Sequence, residues 1–149
     1  MEDRQKLVFQ FFNEVGIIHQ LSSTIMNRLL PNGLHVSHFS VLNHMVRLGD
    51  GKTPLELARA FQVTKATMTH TLATLEKRQL IHIVPHKTDG RSKVVLISEK
   101  GRAFQAEAIA SLVPAMTKLS GQLDLDKIVE LVPELAKIRA VLDENRDVV

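Results

Sequence analysis

Apolar residues in the first thirty positions recur at steps of three and four, which places them on one face of a helix. The predicted helix covers residues 5–30 and ends at Pro31-Asn32-Gly33, a run that favours a turn. Twelve apolar residues form a wide stripe on this helix: Leu7, Val8, Phe11, Phe12, Val15, Ile17, Ile18, Leu21, Ile25, Met26, Leu29 and Leu30. One small domain could not cover so wide a stripe, so we expect it to contact a further partner.

Three shorter amphipathic segments follow. The first is predicted to begin at Ser37 as its N-cap and to end at Gly49. The second starts at Thr53-Pro54-Leu55-Glu56, where Thr caps, Pro takes the first helical position and Glu can bond back to the cap. The third is capped by Thr64 and runs to about Arg78. The last two form a helix-turn-helix pattern.

A pair of short β-branched runs then predicts a hairpin with strands at residues 81–84 and 94–97 and a polar tip between them. Ser98 and Asp124 are predicted to cap two final helices, which Pro114 and Pro133 should kink or split. The fold class expected is mainly α with a small β-hairpin.

Charge changes this picture in the middle of the chain. Residues 52–93 carry eight basic and three acidic side chains, whereas residues 1–51 are balanced and residues 94–149 carry a net charge of −2. A local basic segment favours a polyanionic partner. The chain has no Cys, which excludes disulfides, thiolate zinc sites and cysteine-based redox sensing. It has no signal-peptide layout and no membrane span, so we expect a cytoplasmic protein.

A helix-turn-helix followed by a hairpin is the winged-helix arrangement, in which one helix enters the DNA major groove. Two sets of polar residues are the candidates for DNA contact. The outer face of the third short helix is expected to present Lys65, Thr67, Thr69, His70, Thr71 and Thr74. The hairpin tip is expected to present His86, Lys87, Thr88, Asp89, Arg91 and Lys93. Winged helices also serve as protein-interaction modules, which remains the alternative.

These same residues resemble the MarR family of bacterial transcription regulators. An Asp-x-Arg hairpin tip, followed by a strand that ends in Leu-x-Ser-x-x-Gly, carries most of the resemblance. The matching runs are Leu75-Glu76-Lys77-Arg78, Leu80-Ile81, Asp89-Gly90-Arg91-Ser92-Lys93, Val95 and Leu96-Ile97-Ser98-Glu99-Lys100-Gly101. The order of the predicted elements fits the family along essentially the whole chain.

The resemblance implies a winged helix-turn-helix at residues 37–97, flanked by dimerisation helices at residues 1–36 and 98–149. A homodimer would then place two recognition helices about 34 Å apart on a palindromic operator in double-stranded DNA. Arg91 would enter the minor groove, and Asp89 would orient it through a charge-assisted hydrogen bond.

Two positions depart from the family pattern. The family often has Gly where this chain has Gln79, which puts a left-handed cap there in question. It often has Arg where this chain has Ile83, which removes one cation near the wing.

Many family members bind a small, often aromatic or phenolic, anion that modulates DNA binding. The expected function is therefore a repressor released by such a ligand. The candidate effector-binding residues, by approximate position, are Phe11, Val15, His19, His35, Phe39 and Asn43.

A metal-responsive regulator is a further alternative, because His35, His38 and His44 lie close in sequence. Their spacing gives no complete ligand set, so no metal site and no cofactor are predicted. The sequence has none of the common hydrolase, phosphate-loop or dinucleotide motifs, so no enzyme activity is expected.

Overall fold

The computed structural model describes residues 2–147, which form six α-helices and one antiparallel hairpin. The helices are α1 (Asp3–Leu29), α2 (Val36–Leu48), α3 (Pro54–Ala60), α4 (Lys65–Lys77), α5 (Glu99–Ser120) and α6 (Leu125–Glu144); the strands are β1 (Ile81–Pro85) and β2 (Lys93–Ile97). The predicted class, mainly α with a small hairpin, is confirmed. No helix in this described part is long and apolar enough to cross a lipid bilayer.

Internal packing divides the chain into two compact units. One unit ends at Leu112 and contains α1 to α4, the hairpin and the first turns of α5. The other begins at Val113 and contains the rest of α5 and all of α6. The domain boundaries predicted at residues 36/37 and 97/98 both fall inside the first unit and remain a prediction.

The hydrophobic core of the first unit lies between α2, α3, α4 and the hairpin. Leu42, Leu57, Leu72 and Val95 contribute one buried side chain from each of these elements, and Phe104 of α5 joins them. The apolar residues predicted to point inward from α4 all belong to this core: Met68, Leu72 and Leu75. Burial of such side chains is the main force that holds the helix-turn-helix together.

Side-chain caps begin four helices where the sequence predicts them. Thr53 Oγ1 accepts from the Glu56 N–H at 3.2 Å, and the Glu56 carboxylate accepts from the Thr53 N–H at 2.7 Å. That backbone hydrogen bond lowers the pKa of Glu56. Thr64, Ser98 and Asp124 accept comparable bonds at the starts of α4, α5 and α6. These caps fix where the helix-turn-helix begins and turns.

The start of α2 is the exception. The prediction of Ser37 as its N-cap is wrong, because the helix begins at Val36 with His35 in the cap position. The His35 N–H donates to His38 Nδ1 at 3.0 Å, and the Val36 N–H donates to Asn27 Oδ1 of α1 at 2.7 Å. These two acceptors satisfy the first donors of the helix, so the hydroxyl of Ser37 is not needed.

Neither proline splits its helix, so that half of the expectation is wrong, whereas a kink at either position remains a prediction. Helix α5 continues through Pro114, and α6 continues through Pro133. A proline leaves the carbonyl four residues earlier without its helical donor. Ala110 and Val129 hold those positions, and both are exposed, so water can hydrogen-bond to the carbonyls.

The base of the hairpin is tied to the loop between α2 and α3. Lys52 forms an isolated antiparallel bridge with Val95, and the Asp50 carboxylate accepts from the Ile97 N–H at 2.9 Å. On the other side, Gly101 of α5 packs so closely that a Cβ there would overlap the carbonyl oxygen of Leu80. The hairpin is therefore held at its base from two directions.

Helices α1 and α6 contain no buried residue, although both are rich in apolar side chains. The exposed large hydrophobic residues of α1 are Leu7, Val8, Phe9, Phe12, Val15, Ile17, Ile18, Leu21 and Ile25. Those of α6 are Leu125, Ile128, Val129, Leu131, Val132, Leu135, Val141 and Leu142. Each helix thus presents an apolar surface that the structure leaves uncovered.

Candidate nucleic-acid interface

The outer face of α4 carries small and polar side chains and no carboxylate. Because Met68, Leu72 and Leu75 point into the core, the opposite face carries small and polar side chains. Lys65, Ala66, Thr69, His70 and Ala73 line one shallow hollow on this face. Ala66 and Ala73 are not among the residues predicted from the sequence, and their small side chains leave the helix backbone accessible at this point.

Thr71 does not lie on this face, so its predicted placement there is wrong. It is buried, and its hydroxyl donates to the backbone carbonyl of Thr67 at 3.1 Å. The spacing of Met68, Thr71, Leu72 and Leu75 is the one that brings residues onto a common helix face, and it could have revealed this. Thr67 lies at the edge of the face, where its hydroxyl bonds to Thr64 at 2.9 Å.

The one carboxylate of α4 is held beside the hairpin. Glu76 accepts a hydrogen bond from the backbone N–H of Ile83 at 3.3 Å. It lines a groove between α4 and the hairpin together with Ile83 and Lys93. Ile83, half-buried, packs against the core, so this position is apolar where the family often has Arg.

Residues 86–92 form the wing tip, and Asp89 lies at its centre. The Asp89 carboxylate accepts from the backbone N–H of Arg91 at 3.1 Å and from the Ser92 hydroxyl at 3.4 Å. The expected bond to Arg91 is thus made to its backbone, and none of the ion pairs found in residues 2–147 joins the two side chains. The Asp89 carboxylate thus bonds to the backbone of Arg91, and Arg91 itself is exposed.

Within residues 2–147, four cations of α4 and the hairpin form no ion pair with a carboxylate. Lys65 on α4 and Lys87, Arg91 and Lys93 on the hairpin are all exposed. The ion pairs found among residues 2–147 lie in α1 or in the segment from α6 onward: Lys6–Asp3, Lys127–Glu130, Lys137–Glu134 and Arg146–Asp143. Four unpaired exposed cations on one segment generate a positive potential that attracts phosphate.

The turn between α4 and β1 has a left-handed backbone. The resemblance implied this conformation, although Gln79 in place of glycine made it uncertain. Gln79 has a φ of 61° in place of the glycine often found there. Its carbonyl accepts from the Ser98 hydroxyl at 2.7 Å, and the neighbouring Arg78 guanidinium donates to the carbonyl of Asn32. These contacts hold the turn in a conformation that is unfavourable for a residue with a Cβ.

The histidines near α2 do not converge on a metal site. The rings of His35 and His38 stack with centroids 5.9 Å apart, whereas His44 packs against Phe61 at 5.3 Å. Burial lowers the pKa of His38, and the nearby His35, Arg78 and His70 lower it further. In residues 2–147, no group of three or more His, Cys, Asp or Glu side chains is arranged to hold a metal ion.

The six candidate effector-binding residues are not brought together. Phe39 is buried in the core, Asn43 accepts from the Gln105 amide at 3.1 Å, and Phe11 packs edge-to-face on its neighbour Phe12. Val15 and His35 are exposed. Only His19 lines a cavity of about 320 Å³. The other residues around it are Ser23, Val36, Ser37, Ser40, Val41, Phe61, Val63, Thr67, Met68 and Thr71.

Known structures share this fold along most of the chain. The transcriptional regulator BldR from Sulfolobus solfataricus is 24% identical, with a TM-score of 0.80 over 94% of this chain and 99% of its own. A mutant of MarR from E. coli complexed with operator DNA is 21% identical, with a TM-score of 0.75 over 92% of this chain and 99% of its own. CouR from Rhodococcus jostii RHA1 bound to p-coumaroyl-CoA is 21% identical, with a TM-score of 0.69 over 83% of this chain and 87% of its own.

The family comparison concerns the segment that contains the helix-turn-helix and the wing tip. Residues 32–92 match the model of the MarR family. The match includes α2, α3, α4, β1 and the Asp89–Arg91 tip, and the neighbours in structure are transcriptional regulators of the same fold. Through this segment, the chain is similar to the MarR family.

Proposed function

We propose that the chain is a transcription regulator that binds a palindromic operator in double-stranded DNA as a homodimer and represses transcription until a small molecule releases it. The observation that carries the proposal is the set of unpaired, exposed cations on α4 and the wing tip, beside a helix face without carboxylates. MarR-family members are transcription regulators, which supports this proposal over an enzyme.

The contacts follow from the shapes of the two elements. Helix α4 fits the major groove, where Thr69 and His70 can hydrogen-bond to base edges while Ala66 and Ala73 permit close approach. Arg91 suits the minor groove, where the negative potential is concentrated. Lys65 and the lysines of the hairpin would contact phosphates, which contribute affinity but no sequence information.

The first experiment selects fragments of the host's own genomic DNA that the protein retains, and then measures affinity for a recovered site. Arg91→Ala should weaken binding by roughly 10-fold to 100-fold, because a cation in the groove is lost. Arg139→Ala removes the same charge from exposed α6 and should change affinity less than about threefold. Equal effects of the two substitutions would contradict the proposed role of the wing tip.

Salt dependence distinguishes DNA binding from the alternative protein-interaction module. Each neutralised phosphate releases counterions, so operator affinity should fall steeply between about 50 and 200 mM salt. Retention of no fragment by the folded protein, together with salt-insensitive capture of a protein partner, would favour the module.

The homodimer is supported by the uncovered apolar surface of α1. Leu21 is 62% exposed, and its neighbours on the helix include eight further exposed hydrophobic residues. Leu21→Glu should convert a dimer of about twice 16.7 kDa into monomer, because it places a charge in an apolar contact. Leu48→Glu is the matched control, since Leu48 is 64% exposed at the end of α2.

Sedimentation at micromolar concentration decides between these outcomes. A wild-type protein that sediments as a monomer would contradict the dimer. Dissociation by Leu48→Glu alone would instead place the contact on the winged helix and remove α1 from it.

An effector site is supported by the cavity that His19 lines. This cavity is bounded by α1, α2 and the start of α4, and no Asp, Glu, Lys or Arg lines it. Apolar side chains with a few hydroxyls, from Ser40, Thr67 and Thr71, suit an aromatic ligand with hydroxyl groups. CouR, a neighbour in structure, has been solved bound to p-coumaroyl-CoA.

Thermal unfolding in the presence of phenolic compounds tests the site. A compound that raises the Tm and releases the operator should do neither for Ser40→Leu, which fills the cavity. An unchanged response of Ser40→Leu would place the effector elsewhere.

A further inference from the structure

His86 stands where β1 ends and the wing tip begins, and one of its ring nitrogens faces into the tip. Its Nδ1 lies 3.2 Å from the backbone nitrogen of Thr88, 3.3 Å from that of Asp89 and 3.1 Å from the Thr88 hydroxyl. A backbone N–H can only donate. Nδ1 is therefore the acceptor, the ring proton lies on Nε2, and the Thr88 hydroxyl also donates.

These bonds connect the imidazole to the arginine of the wing. His86 Nδ1 accepts from the N–H of Asp89, and the Asp89 carboxylate accepts from the N–H of Arg91. The backbone N–H of His86 donates to the backbone carbonyl of Ser92 at 2.8 Å, and this bond closes the tip. Three donors share one ring lone pair, which accounts for distances at the long end of the normal range.

We propose that neutral His86 is the positioning residue of the wing: its Nδ1 holds Asp89, which in turn holds Arg91, and protonation of Nδ1 opens the tip. This inference rests on the proposed DNA-binding function, because an ordered tip matters only if Arg91 has to be positioned for DNA. His86 acts through Arg91, so its role is separate from any contact that its ring makes with DNA.

Charged groups of both signs lie near the ring. Glu56 of α3 is close enough that a charge on His86 lowers its pKa, and Lys52 acts on Glu56 in the same direction. On the wing itself, the charged residues are Lys87, Asp89 and Arg91, and Lys93 follows directly after the tip. A proton on Nδ1 would point toward the three groups that now donate to this nitrogen. Neither the Glu56 nor the Asp89 carboxylate can accept hydrogen bonds from all three of those groups. The tip must therefore rearrange when the ring is charged.

Two substitutions separate the acceptor from the charge. His86→Asn keeps an acceptor oxygen close to the Nδ1 position and does not titrate, whereas His86→Ala removes the acceptor. At about pH 8, His86→Ala should bind the operator about tenfold more weakly than wild type, as expected for lost hydrogen bonds, and His86→Asn should recover part of that loss because it restores the acceptor. His82→Asn is the control, because His82 is an exposed histidine on β1 outside the tip.

The pH profile shows whether the charge matters. Between about pH 8 and pH 5, where histidine titrates, wild type should lose affinity about fivefold relative to His86→Asn. His82→Asn should follow wild type over the same range. The proposal is overturned if His86→Ala binds like wild type at high pH, or if the ratio of wild type to His86→Asn stays flat or rises on acidification.

A measurement on the free protein keeps this inference separate from DNA binding. Nitrogen NMR should show His86 as the Nε2–H tautomer, and the amide signals of Thr88 and Asp89 should shift as the ring titrates in wild type. The same signals should not shift in His86→Asn over that range. A Nδ1–H tautomer would overturn the inference even if the operator is bound. A protein that binds no DNA but shows the Nε2–H tautomer would overturn only the proposed function.

Discussion

The winged-helix segment and the helices α1 and α6 contain the same apolar residue types, but these side chains are buried in the first region and exposed in the second. From α2 to β2, leucines such as Leu42, Leu57 and Leu72 lie in a closed core. In α1 and α6, residues of the same kind stay on the surface. Local spacing forms a helix in both regions, whereas burial depends on what the rest of the chain supplies.

Charges show the reverse difference. The ion pairs of the described residues lie in α1 or from α6 onward, at a spacing of three residues within a single stretch of chain. Such exposed pairs contribute little to stability. In the winged-helix segment, Lys65, Lys87, Arg91 and Lys93 form no ion pair with any carboxylate of residues 2–147. One region has unpaired charge and the other has uncovered apolar surface, so the two regions suit two different partners.

The sharpest test of this comparison pairs one leucine from each region. Leu57→Ala should lower the free energy of unfolding by about 2–5 kcal/mol at any protein concentration, because Leu57 is fully buried. Leu21→Ala should act mainly through association, so its cost should depend on concentration. Urea unfolding at two protein concentrations about 50-fold apart measures both. A cost for Leu21→Ala that is the same at both concentrations would show that α1 contacts no second copy.

A smaller effect should come from the left-handed turn at Gln79, inside the closed region. Gln79→Gly should raise the free energy of unfolding by up to about 1 kcal/mol, since glycine adopts this backbone without strain. Lys77→Gly, two residues earlier in α4, should lower it by about 1 kcal/mol, as glycine does within helices. A loss of stability in Gln79→Gly would mean that the glutamine side chain contributes more than the strain costs.

The smallest effect should be a pH dependence that originates at His38. Burial, followed by the charges of His35, Arg78 and His70, lowers the pKa of His38 below 6.5. The unfolded chain therefore binds this proton more readily. The stabilisation is complete above pH 6.5 and is lost as the pH falls below that value and through the folded pKa.

Tm values recorded between about pH 8 and pH 5 test this prediction. His38→Asn, which keeps an acceptor for the His35 N–H, should lose less stability on acidification than wild type. Some dependence should remain, because burial, Arg47 and Lys52 lower the pKa of His44 as well. Identical slopes for His38→Asn and wild type would contradict the assignment.

Short-range patterns predicted most of the fold. The caps at Thr53, Thr64, Ser98 and Asp124 depend on residues three positions apart, and the hairpin depends on two β-branched runs with a turn between them. Such signals are local, so they can be read without knowing the tertiary structure. The positions of Lys65, Thr69, His70 and the wing tip followed from these elements.

Errors arose where a distant or unusual partner decides the local structure. Helix α2 starts early because Asn27, nine residues before Val36, supplies an acceptor, and histidine is not a preferred cap. Thr71 was placed outward because it is polar, although its own helix satisfies the hydroxyl. The effector-binding residues stay a prediction; they depended on approximate position, which gave no information that Asn43 bonds to Gln105 of α5.

The close contact at Gly101 has a mechanical consequence. Only a hydrogen atom fits between this residue and the carbonyl of Leu80. The first turn of α5 and the base of the hairpin are therefore in direct contact and cannot move closer together. A rotation of that turn would be transmitted directly to β1, the strand that leads into the wing tip and Arg91. Replacement by alanine should therefore displace the wing as a whole, rather than merely loosen one end of a helix.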